Sequence, residues 1–212
     1  MKSLKIVFTL FMLSIAMMAV AQSEKYVQTM TATLQGMEQA KTAEEEAALA
    51  AKFERIGDAE KTQWLPYYYA ALVKTRMSMA GQGDKDKLAN EADAFIAKAE
   101  AISKDNSEIL CIKSFNAMAK LMVDPMSRWQ EYGELSANYL AAAKKADPTN
   151  PRPYMLEANS LKNTPEQFGG GCATAKPLAQ KAVELYEKFK AASTIAPTWG
   201  KESAEKVVKD CQ

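Results

Sequence analysis

Histidine is missing from all 212 residues. Its absence removes the usual general base near neutral pH, the usual activator of a serine or cysteine nucleophile, and the commonest metal ligand. Strand-like runs are scarce as well, because alanine, glutamate, lysine, leucine and methionine recur at helical spacing. Arginine is confined to Arg55, Arg76, Arg128 and Arg152. Beyond the N-terminal segment no long apolar run remains, so no membrane insertion of the mature chain is expected. Charge is nearly balanced, with 27 basic and 26 acidic residues. That balance provides no electrostatic footprint for nucleic acid or an anionic membrane.

The opening segment "MKSLKIVFTLFMLSIAMMAVAQ" reads as an export signal rather than as part of the fold. Lys2 and Lys5 precede an apolar stretch from Ile6 to Val20, and Ala19-Val20-Ala21 has the small-x-small pattern that a signal peptidase cuts. Cleavage is expected after Ala21, leaving Gln22 at the mature N-terminus. Residues 1–21 are then a Sec signal, residues 22–212 form a single helical domain, and the destination is periplasmic.

Cysteine occurs at Cys111, Cys172 and Cys211 only, and an exported chain permits a disulfide. Three thiols allow three single pairings, and spacing does not select one. Cys111 lies inside the apolar helical pattern "EILCIKSFNAMAKLM", as a buried small hydrophobe would. Cys172 and Cys211 each stand at a segment edge, which favours their pairing.

Helix signals follow one another with short, turn-rich connections, which implies about eight antiparallel helices and no sheet. Tyr26, Met30, Leu34 and Met37 share a face, and Thr42 with Glu45 forms a capping box ahead of "AALAAKFERI". Pro66 suits the first turn of a third helix, and Asp84 caps a fourth after the loop "GQGD". Further helices are expected over residues 108–123, 128–146, 153–162, 173–192 and 199–210.

Fixed spacings add to this. "ANYLAAAKKADPTNPRPY" places Ser136, Leu140, Ala143 and Pro148 where a tetratricopeptide repeat has the small, large, small and proline positions of its second helix. "ADAFIAKAEAISKDNSEI" repeats the plan with Ala92, Ile96 and Ala99, and Lys104 replaces the proline. From these residues the chain resembles the tetratricopeptide repeat superfamily, as an irregular array of antiparallel helix pairs. Together with "WLPYYYAAL", "DPMSRWQEYG", "NPRPY" and "PEQFGGG", the pattern also resembles a group of small exported tetratricopeptide-like proteins of Bacteroidetes. That resemblance implies fold and compartment, and almost nothing about activity.

The triple glycine of "PEQFGGGCATAKP" is not a phosphate loop, since no Gly-Lys pair follows and no strand precedes. Two readings remain for Phe168, Gly169, Gly170 and Gly171: a helix-to-helix turn, or an anion nest ahead of a helix. Arg128 and Arg152 fall in turn-rich motifs, where each either binds a carboxylate guest or ties a loop to an internal acid. Tyr132 and Trp199 are either core aromatics or groove walls. No catalytic residue, metal site or cofactor is expected; Glu131 and Glu134 would do acid–base work only if buried together. The leading expectation is a non-catalytic periplasmic scaffold that binds a protein or peptide partner. The alternative is a small-ligand protein that captures a carboxylate or sugar acid with the glycine loop and the arginines.

Overall fold

The computed structural model of the protein describes residues 24–212, so the signal segment and the Ala21–Gln22 cut lie outside the described residues. Within that span the chain is all-α, with nine helices and no strand. Helix α1 covers 24–39 and is followed by α2 (Ala43–Glu60), α3 (Leu65–Ala80), α4 (Lys85–Ile102) and α5 (Ser107–Leu121). Then come α6 (Pro125–Ala146), α7 (Arg152–Asn163), a 3-10 turn (Glu166–Phe168), α8 (Cys172–Lys188) and α9 (Lys201–Asp210).

Local chemistry sets most of the boundaries. The Thr42 hydroxyl accepts from the Glu45 amide at 3.2 Å, and the Glu45 carboxylate accepts from the Thr42 amide at 3.1 Å. This reciprocal pair satisfies two donors that a helix start otherwise leaves open. Asp84, Asn106 and Asp124 cap α4, α5 and α6 by accepting from first-turn amides, without the reciprocal bond. Gly81 ends α3 at φ +69°, a conformation that glycine adopts without strain.

The pairing directions follow from cross-helix bonds. In the α5/α6 pair, Ser107 donates to the Ala143 carbonyl at 2.9 Å and the Ser114 and Ser136 hydroxyls meet at 2.7 Å, so the helices are antiparallel. Small residues at these positions let the two backbones approach closely. Helices two apart run parallel instead. Tyr68–Glu108 and Thr75–Asn116 join α3 to α5, Glu108–Arg152 and Met118–Ser160 join α5 to α7, and Asn159–Ser203 joins α7 to α9. Helices α3, α5, α7 and α9 therefore form one inner row, and α4, α6 and α8 return between them.

The main core gathers α1 to α5 around Met30, Phe53, Tyr68, Leu72, Ile109 and Ile112, and smaller clusters unite α7, α8 and α9. Cys111 is a buried free thiol, and Cys172 is disulfide-bonded to Cys211. Two expected boundaries are corrected. Helix α8 stops at Lys188 rather than near residue 192, and α9 begins at Lys201 rather than at Trp199. Residues 189–200 form an irregular strap, because burying Ile195 and Pro197 against the inner row outweighs the helical propensity of "FKAAS".

Candidate ligand-binding face

The inner row is the face that a helical array of this kind offers to a guest. Half of it is already occupied. The strap crosses the N-terminal ends of α3 and α7, held by four bonds to α3, α7 and α8. Tyr69 donates its hydroxyl to the Ile195 carbonyl at 2.9 Å, Arg152 donates to the Pro197 carbonyl, the Trp199 indole donates to the Tyr68 hydroxyl at 2.8 Å, and Tyr186 donates to the Trp199 carbonyl at 2.9 Å. Tyr69 is thus a core residue, although helical spacing suggests that it faces away from Tyr68.

Arg152 is the centre of this arrangement and is not a surface contact. Its side chain is 0% exposed and pairs with Glu108 at 2.7 Å. The guanidinium also lies 4.9 Å from the Phe189 ring centroid and 5.6 Å from that of Trp199. Burial pushes the Glu108 carboxyl above the usual carboxylate range, while Arg152, Tyr68 and Asn150 oppose the shift. Arg128 is likewise committed internally. It makes a bidentate pair with Asp86 at 2.6 and 2.9 Å and donates to the Lys120 carbonyl, which ties the start of α6 to the start of α4. Tyr132 is half-buried under the Lys120 ammonium, 5.9 Å from its ring centroid.

The glycine loop is not an anion nest. Gly169 donates to the Glu166 carbonyl, Gly170 to Pro165 and Gly171 to Leu161, so each amide is consumed within the chain. A Cβ at Gly170 would collide with the Thr164 carbonyl, and Gly171 sits at φ +88°. Steric need accounts for these glycines.

What is open lies at the other end of the inner row. Five large apolar side chains are exposed among the described residues: Met79 (40%), Met122 (47%), Met126 (88%), Trp129 (62%) and Phe168 (71%). Because α3, α5 and α7 run parallel, the α3–α4 turn, the α5–α6 turn and the α7–α8 loop share one end of the molecule, and all five residues lie there. The α5/α6 register carried forward brings Trp129 level with Leu121, so the first turn of α6 overhangs the shorter α5. Phe115 and Met118 on α5 and Met122 at its C-cap follow toward this end at intervals of three and four, and Phe115 packs against Trp199 with ring centroids 6.3 Å apart and planes tilted by 31°. On α3, Arg76 and Met79 are one turn apart. Apolar residues that end on a turn are the sequence signal for this surface, but burial alone separates Met122 from a core methionine such as Met30.

A concavity of about 700 Å³ between α8 and α9 is lined by Val183 and Val208 with Gln180, Glu184, Glu205, Lys209 and Gln212. Two carboxylates among two valines make it a poorer seat for an apolar or anionic guest. Among the described residues no group of three histidine, cysteine, aspartate or glutamate side chains could hold a metal ion, and no helix is long and apolar enough to cross a membrane.

Fold and face together define a class: an all-α array of antiparallel helix pairs whose inner row is covered by its own chain at one end and carries exposed apolar side chains at the other. A solved structure places the chain more narrowly. It is similar to the HusA haemophore from Porphyromonas gingivalis, with 38% sequence identity, a TM-score of 0.81, and 88% of this chain and 92% of that chain covered. The chain belongs to the family of that haemophore. No protein-family model and no curated protein matches it, so the tetratricopeptide resemblance rests on helix-pair spacing alone.

Proposed function

We propose that this chain is an exported, non-catalytic binding protein that captures a porphyrin, haem included, on the open half of its inner face. The observation that carries the reading is the group of exposed apolar side chains at one end of the inner row, with Met122 just past the end of α5, in a chain 38% identical to a haemophore. Porphyrin rings are flat and apolar, and Phe115, Met118 and Met122 offer a matching strip beside the Trp199 ring. With no histidine in the chain, apolar burial and stacking replace imidazole ligation as the holding force. An extended peptide along the full inner face is not supported, because the strap fills the half next to Arg152.

Met122→Asp tests this directly. The position is 47% exposed, so the fold should tolerate the change to within about 0.5 kcal/mol. Losing a buried methionine contact is worth ~1.5–3 kcal/mol, so haem affinity in an absorbance titration should fall about ten- to hundredfold. Wild-type affinity in the variant would contradict the placement.

A further inference from the structure

Arg76 differs from Arg152, the other arginine on the inner-row helices. Arg152 has Glu108, but Arg76 forms no ion pair and no side-chain hydrogen bond among the described residues. Residues 1–23 contain neither aspartate nor glutamate, so no carboxylate there could supply the missing partner. The side chain is half-buried on α3, with its guanidinium 5.8 Å from the Trp199 ring centroid. Arg152 approaches the same ring to 5.6 Å, so two guanidinium groups lie near Trp199, and Glu108 is bonded to Arg152. Desolvation lowers the Arg76 pKa from its ordinary value, and Tyr68, Glu46 and Tyr69 oppose that, Glu46 from outside ion-pair distance. A guanidinium held this way keeps donors in a planar fork that suits a carboxylate.

We infer that Arg76 is the receptor for a carboxylate of the bound ligand, placed where the apolar strip of α5 meets Trp199. The inference rests on the porphyrin reading and deepens it: the rings lie against Phe115, Met118 and Met122, and one acidic side arm reaches Arg76. It commits the ligand to being a flat apolar acid rather than any flat apolar molecule.

The probes are protoporphyrin, which carries two carboxylates, and its dimethyl ester, which carries none. Both are titrated against the mature wild-type chain, Arg76→Gln and Arg76→Lys. A charge-assisted bidentate bond lost from a half-buried site should weaken the free acid about ten- to hundredfold in R76Q. The ester should bind wild type and R76Q alike, and R76K should retain part of the acid's advantage. Equal losses for acid and ester in R76Q, or no loss for either, would overturn the assignment and leave the porphyrin reading intact. If wild type binds neither probe, the porphyrin reading falls and the assignment with it. Should R76Q fail to fold, R76K decides the matter: a loss confined to the free acid supports the receptor, and an equal loss on both probes overturns it.

Discussion

Arg152→Ala is expected to cost about 3–5 kcal/mol of stability, the scale for breaking a buried ion pair by removing one partner. Three consequences add up at this site. Glu108 is left buried with its charge uncompensated, the Pro197 carbonyl loses its donor, and the rings of Phe189 and Trp199 both lose the guanidinium beside them. The pair itself is not a large net gain, since burial already pushes Glu108 upward despite Arg152. Its value lies in what an unpaired carboxylate would cost. In the variant the folded-state pKa of Glu108 rises further above its unfolded value. Protonation then favours the folded state, so the loss is partly relieved at low pH and grows as pH rises through the folded pKa. Urea unfolding at pH 5 and pH 8 should show the smaller loss at pH 5. Adding Glu108→Gln to Arg152→Ala should recover part of the deficit at pH 8. A loss under 1 kcal/mol, or one independent of pH, would contradict a buried pair here.

Removing the Cys172–Cys211 bond should cost roughly 3–4 kcal/mol, from the chain entropy of closing a loop with a sequence separation of 39. The loss should also be localised. The bond joins the first residue of α8 to the residue just after α9, so it clamps the short terminal helix against its neighbours. Through α9 it also anchors the strap, whose end at Gly200 leads directly into Lys201. Hydrogen exchange of a Cys172→Ser, Cys211→Ser double variant should show early opening of Trp199, Ala204 and Val207, with Leu72 and Ile112 still protected. Uniform loss of protection across α3, α5 and α9 would show that the clamp acts globally instead.

The features legible in the sequence are those decided by neighbours along the chain. The Thr42–Glu45 box, the Asp84 cap and the Gly81 stop each depend on residues within one turn. Helix pairing was legible too, because Ala92, Ala99, Ser136 and Ala143 are small at spacings that close helix contact requires. The strap was not legible. "FKAAS" continues a helical composition, and only the distant hydroxyl of Tyr69 and guanidinium of Arg152 reward leaving the helix. The arginines show the same limit. Composition treats Arg76, Arg128 and Arg152 alike, but their fates depend on acids 42 and 44 residues away for the last two, and on the lack of one for Arg76. The three glycines invited a ligand reading because their amides are free in the sequence; folding returns each amide to a carbonyl of the same loop or of α7.

Methionine methyl resonances supply the most direct test of the central claim, that a porphyrin sits on the open apolar half of the inner row. The probes are already distributed as needed: Met118 and Met122 on the proposed face, and Met30 and Met155 fully buried elsewhere. On titrating the mature chain with metal-free protoporphyrin, ring currents should shift Met118 and Met122 saturably, while Met30 and Met155 stay in place. Saturable binding that leaves Met118 and Met122 unmoved, or no binding at all, would contradict the account.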